Sequence, residues 1–231
     1  MDKLVLFDVD GTLLHTAGAG RRAIRAALLP ELGADGPIDG VRFDGKTDPQ
    51  IIRELLVAAR HPEPNSDAVI SAVCDRYLRL LEREFATGTR RPTVYPGVRV
   101  LLDRLEARGD TLLGLLTGNL AQGARMKLDA AGLSPDRFRI GAFGSDHHDR
   151  ARLPPIAAAG ARRLMGRVPV GAEVIIIGDT PADMTCGSTL GVRAIGVATG
   201  RFTTDELRMA GGFEAFPDLA ETERVLAAIY A

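Results

Sequence analysis

Two pairs of aspartates stand where carboxylates could do chemistry together. Asp8 and Asp10 follow the apolar run Leu4-Val5-Leu6-Phe7, two residues apart, with Gly11 to permit a turn; Asp179 and Asp183 follow Val174-Ile175-Ile176-Ile177, four apart. A third apolar run, 112–116, ends at Thr117-Gly118-Asn119. If the three runs are neighbouring strands, four carboxylates converge at one edge. Two unit charges about 4 Å apart repel by roughly 4 kcal/mol at an effective dielectric near 20, so either protons or a cation must sit among them. Neither carboxylate motif contains His or Cys, so the donors are hard oxygens, which select Mg²⁺ over zinc or copper. A Mg²⁺ ion held by few carboxylates serves a phosphate substrate. Phosphoryl transfer then needs a nucleophile, a proton donor for the leaving oxygen, and hydrogen-bond donors around the phosphoryl group. One aspartate of the first pair can attack while the other shuttles the proton, and Thr117 and Asn119 can hold phosphate oxygens.

These side chains need strands that end at a common crevice. The runs 4–7, 112–116 and 174–177 read as buried parallel strands, with weaker candidates at 140–143 and 194–198. Helical patterns at 98–108, 122–131, 156–165, 181–190 and 219–229 alternate with them. That alternation predicts an α/β fold, a doubly wound parallel sheet of Rossmann type, whose ligands bind beyond the carboxyl ends of the strands. Residues 15–93 break the pattern: 21–29, 49–59 and 67–85 read as helices, with no good strand between them. The expected organisation is a core of 1–14 and 94–231 with a small helical domain, 15–93, inserted after the first strand. The stretch 87–96, with Gly88, Pro92 and Pro96, reads as its return linker.

Composition narrows the partners. The chain has 231 residues and a formal net charge of −1, which gives no electrostatic footprint for nucleic acid or an anionic membrane. Of its 29 basic residues, three are lysines: Lys3, Lys46 and Lys127. Trp is absent, which removes the best stacking platform for single strands. No apolar run is long enough to span a bilayer and no signal peptide is read at the start. Cys74 and Cys186 lie far apart and fit reduced thiols, so a cytoplasmic location is expected. The expected partner is a small phosphorylated metabolite, with the chain a monomer or weak homodimer.

At these residues the sequence resembles the haloacid dehalogenase superfamily, in its capped phosphatase branch, near phosphoglycolate phosphatase and beta-phosphoglucomutase relatives. The resemblance rests on Asp8-Val9-Asp10-Gly11-Thr12-Leu13, Leu116-Thr117-Gly118-Asn119 and Gly178-Asp179-Thr180-Pro181-Ala182-Asp183, in the family's order. It implies that Asp8 is a nucleophile forming an aspartyl-phosphate and that Asp10 protonates the leaving alcohol and then deprotonates water. It implies Mg²⁺ on Asp8, Asp179 and the main-chain carbonyl of Asp10, with Asp183 acting through water. It also implies phosphate binding by Thr117, Gly118 and Asn119, a cap made of the helical insert, and a substrate-facing cap loop at Gly45-Lys46-Thr47-Asp48. The family expects a lysine or arginine in a further motif; here 146–154 holds no lysine, so Arg150 is the candidate and Arg152 the reserve.

Other signals have plainer readings. Gly18-Ala19-Gly20-Arg21-Arg22-Ala23 has the spacing of a dinucleotide fingerprint, but residues 10–16 separate it from its strand, so it reads as a loop and helix start. His147 and His148 read as a surface loop, and Cys186 as a small packed side chain. A phosphomutase would share the same aspartates, a 2-haloacid dehalogenase would lack the one at position 10, and a non-enzymatic phospho-accepting protein would keep its aspartyl-phosphate for minutes.

Overall fold

The structure, a computed structural model, describes residues 1–33, 36–87 and 91–231. The chain opens with β1 (Lys3–Phe7), whose Leu4 and Leu6 enter one core while Val5 and Phe7 enter another. Successive strand side chains point to opposite faces, so a strand apolar at every position must be covered on both sides. β4 (Thr111–Thr117), β5 (Ile140–Phe143), β6 (Val174–Gly178), β7 (Arg193–Val197) and β8 (Glu214–Phe216) complete the main sheet. Their order is β5-β4-β1-β6-β7-β8, and every neighbouring pair is parallel. One face carries α4 (Val98–Arg108), α5 (Ala121–Ala130) and α9 (Thr222–Tyr230). The other carries α6 (Leu153–Met165), α7 (Pro181–Thr185) and α8 (Thr204–Met209).

The strand order reverses at β1. After β1 the sheet grows through β4 to β5; the chain then crosses over to β6 on the far side of β1. Loops leaving such a switch point diverge and open a crevice at the strand ends. Asp8, Thr117 and Asp179 follow or end β1, β4 and β6, the three strands at that point.

The helical insert has its own core. α1 (Ala19–Leu32), α2 (Asp48–Ala58) and α3 (Asp67–Thr87) bury Ile24, Leu28, Ile52, Leu55, Val73 and Leu81 against one another. A two-stranded antiparallel ribbon, β2 (Leu14–His15) with β3 (Thr93–Val94), forms the neck through which the chain leaves and returns. The expected linker 87–96 therefore contains a strand, and its residues 88–90 lie outside the described residues.

Several elements differ from expectation. α7 stops at Thr185 instead of 190, because Gly187 interrupts it before a short 3₁₀ turn at Ser188–Leu190. α9 starts at Thr222, later than 219, because Leu219 is spent as a buried anchor before the helix. α8 and β8 are additions. The signal for α8 was present as a capping box between Thr203 and Glu206, and β8 is a three-residue edge strand too short to show a period. The glycine pattern at 18–23 is a helix start: Gly18 caps α1 in the left-handed region.

Candidate active site

Beyond β1 the chain turns sharply. The Leu13 and Leu14 amides both donate to the Val9 carbonyl, at 3.0 and 3.1 Å. Gly11 sits in the left-handed region (φ 84°), and a Cβ there would strike the Asp179 carboxylate. No other residue allows this turn to lie against β6. Asp8, Asp179 and Asp183 are buried, with one carboxylate oxygen from each lying within 4.8 Å of the others.

Each member of that cluster is braced. The Thr12 hydroxyl donates to Asp179 Oδ1 at 3.1 Å. Asp183 Oδ2 accepts from the Thr180 amide (3.0 Å) and hydroxyl (2.7 Å), the capping box that starts α7. Asp183 Oδ1 accepts from Arg150 Nη2, which also lies 3.2 Å from Asp8 Oδ1. Arg150 is buried, its guanidinium held by these two carboxylates while Nε has no partner among the described residues. Arg152, the reserve, is exposed.

Burial pushes Asp8 up to about 6, against the pull of Arg150. Burial, then the Asp8 and Asp183 charges, push Asp179 well above the ordinary carboxylate range. The cluster is thus short of positive charge, and its donors are all oxygen. That combination fits a hard divalent cation bound chiefly through Asp8 and Asp179. Both Asp183 oxygens are already engaged within the protein.

Asp10 stands apart from the cluster. Its carboxylate is 40% exposed, and Oδ2 accepts from Asn119 Nδ2 (2.8 Å) and from Lys127 Nζ (2.6 Å). Asn119 also donates to the Thr117 hydroxyl (2.7 Å) and accepts from Lys127. Lys127 is buried; burial alone would lower its ammonium, but Asp10 and Asp48 outweigh that and hold it above its ordinary value. Sequence reasoning missed Lys127. A signal existed: Lys127 shares the buried stripe of α5 with Ala124 and Leu128, where a lysine needs a carboxylate partner.

The loop before α2 lies on the strand ends. The Asp48 amide donates to the Gly118 carbonyl (2.8 Å), and Asp48 Oδ2 accepts from the Leu120 amide (2.9 Å). A Cβ on Gly118 would strike Lys46 and Thr47, so this approach requires glycine. Burial pushes Asp48 up to about 6, against the pull of Lys127 and the Leu120 amide. Lys46 pairs with Glu54, and Lys46 and Asp48 line the cavity. Thr47 does not, contrary to its implied substrate-facing role. It caps α2, accepting from the Gln50 amide at 3.2 Å and donating to the His148 carbonyl at 2.7 Å. His147 and His148 stack on each other, ring centroids 4.8 Å apart, and neither lines the cavity. Burial pushes the Cys186 thiol up to about 12, which suits a packed side chain.

The cavity has a volume of about 340 Å³ and lies between the strand ends and the helical insert. Asp8, Asp10, Thr117, Gly118, Asn119, Arg150 and Asp179 wall its sheet side, while Asp183 sits behind them. Tyr77 of α3 closes the helical side. It too escaped the sequence reading, because with Ile70, Val73, Cys74 and Leu81 it makes an ordinary core stripe.

Residues 3–191 match the haloacid dehalogenase-like hydrolase family. The chain is 27% identical over 224 residues to a phosphoglycolate phosphatase of Rhodospirillum rubrum, covering 95% of this chain and 89% of that protein. It is 28% identical over 223 residues to a 5'-nucleotidase of Pseudomonas aeruginosa, covering 96% of this chain and 94% of that one. A solved hydrolase from Pseudomonas syringae has the same fold, with a TM-score of 0.74, 20% identity and 98% of each chain covered. Among the described residues, no helix is long and apolar enough to cross a membrane.

Proposed function

The chain belongs to the haloacid dehalogenase-like hydrolases, and on that premise we propose that it is a Mg²⁺-dependent phosphatase of small phosphorylated metabolites. The observation that carries the reading is the buried Asp8–Asp179–Asp183 cluster facing Thr117 and Asn119 across the switch point of the sheet. Relatives named as phosphoglycolate phosphatase support it.

Asp8 attacks phosphorus, and the ester oxygen leaves with a proton from Asp10. Water then attacks the aspartyl-phosphate, giving its proton to Asp10 and releasing Asp8 and inorganic phosphate. Lys127 and Asn119 both bond Oδ2 of Asp10, which leaves Oδ1 to carry the proton. The Thr117 hydroxyl, the loop at Gly118 and Asn119, and Arg150 bind the phosphoryl oxygens. Asp8, Asp179 and the Asp10 carbonyl would hold Mg²⁺, with Asp183 acting through water, and the bound ion would supply charge to offset those oxygens. Residues 15–93 act as a cap on the β2–β3 neck, and its closure excludes water. Lys46 and Asp48 contribute to substrate choice from the cap side. Buried, unpaired Cys74 and Cys186 suit a reducing cytoplasm, and the chain works as a monomer or weak homodimer.

The test is phosphate release from an aryl phosphate with Mg²⁺, which Asp8→Asn abolishes while the protein stays folded. Retained turnover in that variant contradicts the assignment.

A further inference from the structure

α1, α3 and α5 meet beside Asp10, and the cavity reaches into their junction. Tyr77 lines the cavity, and its hydroxyl is fully buried with no hydrogen-bond partner among the described residues. Phenylalanine would fill the same volume without leaving a polar atom unsatisfied. Opposite stands Gly20, inside α1 with no positive φ to demand glycine. A Cβ at Gly20 would lie 3.5 Å from Lys127 Nζ and 3.8 Å from the Tyr77 hydroxyl. A methyl group fits there and would strengthen the helix, yet the space is kept open toward two polar atoms.

Both atoms can donate. Lys127 carries three N–H groups, of which Asp10 and Asn119 take two. The phenolic O–H has no acceptor. The space adjoins Lys127, which bonds Asp10, the residue assigned to protonate the leaving group. We propose that the space between Gly20, Tyr77 and Lys127 is a subsite for a hydrogen-bond-accepting oxygen on the leaving group, and that Tyr77 selects substrates by it. This rests on the phosphatase reading above. A hydroxyl and a carboxylate oxygen two carbons from the ester share this chemistry.

Three esters test it: ethyl phosphate, 2-hydroxyethyl phosphate and phosphoglycolate. The wild-type protein should favour at least one oxygenated ester over ethyl phosphate in kcat/KM by about tenfold or more. The preferred one tells hydroxyl from carboxylate. Tyr77→Phe should bring that preference to within about twofold without lowering Tm, since no bond is lost in the free protein. Gly20→Ala should raise Tm and also erase the preference by filling the space. Calorimetric binding of the same esters to the Asp8→Asn protein gives the preference without turnover. Hydrolysis of all three esters with no preference overturns the subsite and leaves the phosphatase reading standing. Preferential binding without hydrolysis by the wild type does the reverse. A preference unchanged in Tyr77→Phe, or a lowered Tm in that variant, also overturns the proposal.

Discussion

At the sheet end of the cavity, Asp183 accepts from Arg150 and twice from Thr180, and Arg150 spans two carboxylates. At the helical wall, the Tyr77 hydroxyl has no partner. Both regions are buried and each keeps one polar atom without a partner among the described residues, but the Arg150 guanidinium is fixed by two carboxylates while the Tyr77 hydroxyl is held by none, so the contrast comes from what brackets the polar groups, not from exposure to water. The sheet end handles charge, and low dielectric makes any misplacement there costly. The helical wall is a hydrophobic core of its own that leaves the Tyr77 hydroxyl for whatever enters. A site built this way can keep its chemistry while its wall changes.

The largest break in that contrast is expected at Asp8. Asp8→Asn should lower phosphate release by about 10³-fold or more while circular dichroism and Tm stay close to wild type, since the amide relieves a carboxylate that burial disfavours. Next is Arg150→Met, which leaves Asp8 and Asp183 without their shared cation. Chemical denaturation should show a loss of about 3–5 kcal/mol. Lys127→Met should cost about 2 kcal/mol, less than Arg150, because water partly screens its partner Asp10. That loss should shrink with acid: Asp48, held at about 6, takes a proton below that pH and no longer needs the ammonium.

The smallest effect is expected for Asp48→Asn. The folded carboxyl sits at about 6 against an ordinary 3.8, so its ionisation destabilises the fold as pH rises between those values. At neutral pH the variant should differ from wild type by about 1 kcal/mol or less, the weaker bonds to Leu120 and Lys127 offsetting the relief, while its standing against wild type should improve as pH rises across that interval because the amide does not titrate. Denaturation midpoints at about pH 4 and about pH 7 would check it. A difference that falls with rising pH would show that Asp48 is stabilised as a charge.

The same division governs what could be read in the sequence. The strands β1, β4 and β6 announce themselves as apolar runs, and the side chains that end them sit at fixed short spacings, so the acidic crevice follows from the pattern alone. Arg150 was legible as a candidate because the motif region offered few cations. Its pairing with Asp183 was not, since it depends on how β6 and the turn before α6 meet. Lys127 and Tyr77 lay on helical stripes whose periodicity speaks of core, and periodicity says nothing about which polar atom is left over. Thr47 misled for a local reason: residues at the start of α2 must cap it, and that need took the hydroxyl.

The claim on which all this turns is that Asp8 takes up the phosphoryl group. Rapid-quench reaction with a ³²P-labelled phosphomonoester, followed by peptide mapping, tests it most directly. The account predicts label on the peptide carrying Asp8 and no label in Asp8→Asn. Turnover that proceeds with no labelled protein, or label on a different residue, would contradict it.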